Sequence, residues 1–182
     1  MKKKINEICI TAVSVAFIVI CSWLTVPGGV PYTMQSFAVF TVAALWGGRC
    51  GFFAVLTYIL LGAVGIPVFS GMRGGVGVLF GETGGYLFGF LAGSFVCGYI
   101  CQKKKSITAM VGAMLLCLSL CYVFGCLWLY ALFFKKQETQ GIFVIIGRFV
   151  LPFLIPDLIK LILSVGVVRT LERRKAFSFR KY

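Results

Sequence analysis

Histidine is absent from this chain of 182 residues, and acidic side chains are scarce: Glu7, Glu82, Glu138, Asp157 and Glu172 are the whole set. The first absence excludes a Ser–His dyad, an HExxH zinc site and an axial haem histidine. The second removes the material for two-carboxylate acid–base catalysis and for magnesium–diphosphate clusters. No GxxxxGK[ST] stretch occurs, so the chain has no P-loop and no usual means of hydrolysing ATP. A proton-coupled carrier would want more titratable groups within its apolar segments than one acid and one base. Eight cysteines are present, but none forms a CxxC pair. Cys97/Cys101 and Cys117/Cys121 share helical spacing and read as small apolar residues of helices, with no metal assigned to them. Binding is expected here, not catalysis.

Apolar residues are what the chain has in quantity. They make up 60% of it against 13% charged, and the mean hydropathy is +1.00. A soluble domain of this size has no interior large enough to hide so much apolar surface. Apolar stretches approach the ~20 residues that cross a bilayer as helix. The reading is an all-α membrane protein, one domain over residues 1–182, with six spans at about 8–26, 34–47, 51–65, 84–101, 107–133 and 152–170. The second and third are short and separated only by residues 47–51, which makes them a tight helical hairpin. The first follows Lys2, Lys3 and Lys4 in the manner of a signal peptide, but no small-residue cleavage site precedes the next apolar segment, so it is kept as a mature helix.

The net charge of +13 is distributed, not clustered in a domain. Basic residues gather at the N-terminus, at Arg49, at residues 103–105 and in the tail from Arg169 to Lys181. The positive-inside rule places both termini in the cytoplasm, which an even number of spans satisfies. Attraction to anionic lipid is a second effect. Nucleic acid is not an expected partner, because the basic groups flank membrane spans.

Two connections then face outward. Residues 26–37 form a short uncharged link stiffened by Pro27 and Pro31, with Gln35 at the start of the second helix, as ligand contact or as cap. Residues 65–85 hold so many glycines that helix is disfavoured by about 1 kcal/mol at each. Yet Val76, Val78, Leu79 and Phe80 keep the stretch apolar, so it is expected to fold back over the outer end of the bundle. Arg73 within it is a candidate for an anionic group, set against a solvated loop cation.

Asp157 and Lys160 interrupt the last apolar run. An ionisable group at the centre of a membrane helix costs roughly 2.5–3.5 kcal/mol on insertion scales, so two together need a reason. Their i, i+3 spacing gives them one helix face, and Pro152 and Pro156 suggest a helix start there, where the macrodipole favours an acid. Ligand binding and a structural ion pair both remain open from the residues alone.

Four blocks, in order, resemble the BioY family: Val30-Pro31-Tyr32-Thr33-Met34-Gln35-Ser36-Phe37-Ala38-Val39, Leu61-Gly62-Ala63-Val64-Gly65-Ile66-Pro67-Val68-Phe69, Gly81-Glu82-Thr83-Gly84-Gly85-Tyr86-Leu87-Phe88-Gly89-Phe90, and Pro156-Asp157-Leu158-Ile159-Lys160. Glu82 stands where the family commonly has proline. The resemblance spans about residues 8–170 and implies a substrate-binding S component of an energy-coupling-factor (ECF) transporter in a prokaryotic plasma membrane. It implies biotin as transported ligand, no cofactor, and assembly with the transmembrane coupling protein EcfT and two cytoplasmic ATPases. Asp157 and Lys160 then match the family's DxxK motif, with Asp157 expected to accept a ureido N–H and Lys160 to donate to the ligand or hold Asp157 ionised. Tyr86 would cover the rings. Ala12 and Ala16 resemble the AxxxA face by which such components dock on the coupling protein, with internal packing as the equal alternative. Rival readings are an S component for another vitamin, a small intramembrane enzyme using Asp157 and Lys160, and a structural scaffold.

Overall fold

The computed structural model describes residues 2–26, 31–135, 137 and 141–174, with side chains from Ile5 onward. Part of the proline-stiffened link (27–30), Lys136, Glu138 and the tail from Lys175 lie outside the described residues. The elements in chain order are α1 (Lys2–Trp23), β1 (Thr25–Val26), β2 (Tyr32–Thr33), α2 (Gln35–Trp46), α3 (Gly48–Ala63), α4 (Val76–Leu79), α5 (Gly84–Lys103), α6 (Ile107–Lys135), α7 (Ile142–Phe149) and α8 (Leu151–Arg173). The fold is mostly helical. β1 and β2 form a two-residue antiparallel ladder pairing Thr25 with Thr33 and Val26 with Tyr32.

Four of these helices, α1, α5, α6 and α8, are long and apolar enough to cross a membrane, and α2 and α3 are shorter apolar helices. Their outward sides expose Ile8, Val13, Ile20, Leu116, Leu127, Ile155 and Ile162, the surface a lipid solvent accepts. α2 is the axle of the bundle. It packs against α1, α3, α5, α6 and α8, and Ala38, Val39, Phe40, Val42, Ala43 and Ala44 are all buried.

The α2–α3 hairpin is tighter than residues 47–51 suggested. Only Gly47 is non-helical, and α3 resumes at Gly48. A one-residue reversal demands φ +88° there, a conformation that a side chain strains. Gly85, Gly89 and Gly93 recur every four residues along α5 and turn a bare stripe to α6. A Cβ on Gly89 would stand 2.6 Å from the Cα of Cys121, and one on Gly93 2.6 Å from Cys117 Sγ. Cys117 and Cys121 are thus packing residues, and none of the eight cysteines is in a disulfide. Among the described residues no group of three or more His, Cys, Asp or Glu is placed to hold a metal.

The glycine-rich connection, residues 64–83, is tied down at several points. Ser22 Oγ donates to the Val68 carbonyl (2.6 Å), Trp23 Nε1 to that of Pro67 (2.9 Å), and Trp128 Nε1 to that of Gly81 (2.9 Å). Phe69 N donates to Arg73 O (2.9 Å), pinching residues 69–73 into a turn. Val68 and Phe69 are buried by these ties.

Two expectations along the last third of the chain are corrected. The stretch before α8, read as connection, contains α7, which buries Ile145 and Phe149 against Leu129 and Phe133 and leaves Phe143 85% exposed. α8 begins at Leu151, so Pro152 sits in its first turn but Pro156 lies inside the helix. A proline there has no N–H for the carbonyl of Pro152.

Candidate functional site: a chamber at one end of the bundle

A cavity opens at the end of the bundle where α2, α5 and α8 begin. It encloses about 640 Å³ of empty space, its open mouth included. The start of α2 contributes Gln35 and Ser36, α3 Tyr58, the glycine-rich connection Phe69, Ser70 and Val78, and α8 Phe153, Asp157 and Lys160. Tyr86, Leu87, Phe90 and Tyr122 complete an apolar and aromatic wall. At the mouth, Tyr32 stacks on Phe153 with ring centroids 4.2 Å apart and planes 19° from parallel, joining β2 to α8.

The polar floor is built around Asp157, which is 7% exposed, and Lys160, 9% exposed. Lys160 Nζ lies 2.8 Å from Asp157 Oδ1. Ser36 Oγ donates to the same oxygen at 2.8 Å, and Tyr122 Oη donates to Oδ2 at 2.7 Å. Three helices therefore supply donors to one carboxylate. Three donors converging on one carboxylate are what make two buried charges tolerable. Asp157 is the seventh residue of α8, beyond the first turn where the macrodipole acts, so hydrogen bonds and Lys160 hold it, not the helix start.

Counting valences changes the expected division of labour. A carboxylate offers about four acceptor positions, and three are taken. Asp157 has room for about one further N–H. An ammonium has three donors, and among the described residues Lys160 Nζ bonds only Asp157. Gln35 Nε2 is buried with no hydrogen-bond partner, although Gln35 borders the cavity. The chamber is therefore rich in free donors and apolar wall, with one acceptor position left on Asp157.

The remaining sequence candidates fall in different places. Tyr86 lines the chamber with its ring, while its hydroxyl is committed to the Phe149 carbonyl at the end of α7 (3.0 Å). Arg73 is not brought in. Its Nε donates to the Ser70 carbonyl (3.1 Å), its side chain is exposed, and it lines a neighbouring cavity instead. Ala12 and Ala16 lie along α1 and are both exposed. They border no part of the chamber.

Ser36, Tyr58 and Tyr122 were not singled out from sequence. Ser36 had a signal, being the hydroxyl next to Gln35 at a helix start. Tyr122 had none: it sits in an unbroken 29-residue apolar helix, and its partner is 35 residues further along.

Comparison with known proteins adds a second line. A family model described as the BioY family matches residues 1–177. The biotin transporter BioY of Thermotoga maritima is 39% identical over 161 residues, which cover 87% of this chain and 90% of that protein. The biotin transporter BioY2 of Lactococcus lactis subsp. cremoris is 39% identical over 185 residues, 96% of each chain. Among solved structures, the S-component for biotin from an ECF-type ABC transporter superposes with a TM-score of 0.82 at 26% identity, covering 94% of this chain and 93% of that one.

Proposed function

This chain belongs to the BioY family, and we propose that it is the biotin-binding S component of an ECF-type vitamin transporter, taking biotin from the outer face of the cell membrane. The observation that carries this is the buried Asp157–Lys160 cluster at the floor of an aromatic chamber, in a chain whose relatives are named biotin transporters. It binds and hands on its ligand; it does no chemistry on it.

Biotin's ureido ring is neutral and carries two N–H donors beside one carbonyl. Its N–H fits the one acceptor position left on Asp157, and its carbonyl fits an unused N–H of Lys160 or Gln35. A carboxylate on the same floor would be repelled by Asp157 and compete with it for Lys160. The ureido ring therefore enters first, the aromatic walls, Tyr86 among them, cover the fused rings, and the carboxylate stays toward the mouth. Arg73, just past the rim, offers the nearest positive field to that end.

The membrane arrangement follows from charge and length. α1, α2, α3, α5, α6 and α8 are the six spans of a single domain over residues 1–182, with both termini in the cytoplasm and the chamber facing out. α2 and α3 are too short to span alone in ideal register, and the thickness of the surrounding bundle accommodates them. The chain has no ATP-hydrolysing motif, so transport needs the coupling protein EcfT and two cytoplasmic ATPases. The exposed pair Ala12 and Ala16 on α1 is the small-residue face that a helix of EcfT approaches. Replacing both with tryptophan should abolish assembly with the coupling module and spare biotin binding.

The direct test is titration of biotin into the detergent-solubilised chain, preceded by mass spectrometry for biotin that copurifies. Saturable binding lost on Asp157→Asn supports the reading. Absence of any biotin binding by correctly folded protein overturns it.

A further inference from the structure

The mouth of the chamber leads into a second cavity, and its lining does not match free biotin. This cavity, about 870 Å³ of empty space with its opening, is bordered by Arg73, Val78, Phe80, Glu82, Thr83 and Leu132. Val78 and Thr83 line both cavities, so the two adjoin. Arg73 and Glu82 bring opposite charges to the second cavity's lining, yet they do not pair with each other. Arg73 spends only its Nε, on the Ser70 carbonyl, and among the described residues the Glu82 carboxylate has no hydrogen bond or ion pair.

Neither charge hangs on a loose loop. The Arg73 carbonyl closes the 69–73 turn by accepting from Phe69 N, and the neighbour of Glu82, Gly81, is held through its carbonyl by Trp128 Nε1. Phe80 and Trp128 sit against one another with ring centroids 6.3 Å apart. An anchored cation and an anchored anion, unpaired and flanked by Val78, Phe80 and Leu132, complement a zwitterion on an apolar stem. Free biotin has no cation for Glu82.

We infer that this vestibule is a second subsite that admits biotin amide-linked through its carboxyl to the side-chain amine of an amino acid, as in biotinyl-lysine. The α-carboxylate meets Arg73, the α-ammonium meets Glu82, and the methylenes lie on Val78, Phe80 and Leu132. This rests on the proposed biotin reading, with the ureido ring inward.

The test is calorimetric titration of the solubilised full chain with three ligands: biotin, biotinyl-lysine, and the uncharged amide of biotin with pentylamine. The intact chain is expected to bind biotinyl-lysine more tightly than the pentylamide by about fivefold per rim charge engaged. Glu82→Gln should remove about fivefold from biotinyl-lysine and leave biotin and the pentylamide unchanged. Arg73→Gln should weaken biotinyl-lysine more than the pentylamide. Equal affinity for the two amides, or a Glu82→Gln effect on all three ligands alike, would overturn the subsite while leaving biotin binding standing. Failure to bind biotin would sink the underlying reading instead.

Discussion

Helix α8 carries two ion pairs of the same i, i+3 spacing, and they are opposites in everything else. Asp157–Lys160 closes to 2.8 Å with side chains 9–11% exposed, and Ser36 and Tyr122 from two other helices join it. Arg169–Glu172 lies about one turn from the helix end at 3.4 Å, with side chains 35% and 24% exposed. The first has its charges taken out of water and needs every surrounding donor; the second stays partly exposed. Spacing alone makes them look alike, and burial separates them.

The widest gap between the two should appear on removing one partner. Lys160→Ala leaves a buried carboxylate without its counter-charge, a loss of about 3–5 kcal/mol in comparable buried pairs, and biotin affinity should fall more than about a hundredfold. Titration calorimetry of the solubilised protein reads it; an affinity within tenfold of the parent would mean the pair is only structural. Next in size is the seam that holds α5 to α6, which anchors Tyr122. Gly89→Val has no room beside Cys121 and should lower thermal stability by about 2–3 kcal/mol, visible as an earlier unfolding midpoint in a tryptophan-fluorescence melt. Smaller again, Tyr122→Phe removes one of three donors to Asp157 and should cost about 1.5–3 kcal/mol, or roughly 10–100-fold in biotin Kd if the carboxylate must be held in place. Ser36→Ala should act in the same direction, because it deprives the other oxygen. Least of all, Arg169→Gln should change stability by no more than about 0.5 kcal/mol and biotin affinity not at all. A large effect there would erase the contrast between the pairs.

How much of this was legible beforehand varied with the range of the interaction. The spans at 84–101 and 107–133 sit inside α5 and α6, since long apolar runs with charged ends declare their own limits. Asp157 and Lys160 stood out for the same reason, as charges where charge is expensive. Their partners did not, because Tyr122 looks like any tyrosine in an apolar helix until the bundle brings α6 beside α8. α7 was hidden by its length: residues 142–149 make little more than two helical turns, too few to cross a membrane, and so read as part of a connection. Pro156 misled because proline marks a first turn only when the helix cannot go on without its missing hydrogen bond, and α8 does. Arg73 was credible as a ligand to the chamber by position in the chain. The 69–73 turn points it across the rim.

The single-residue reversal at Gly47 has a consequence for the depth at which the ligand rests. α2 has only 12 residues, about 18 Å at 1.5 Å per residue, against a hydrocarbon layer of about 30 Å. On the proposed topology, with Gly47 at the cytoplasmic end, Gln35 and Ser36 stop about 12 Å short of the opposite surface. A molecule captured there has thereby already travelled about a third of the way across, and an external energy source has the remaining two thirds to supply.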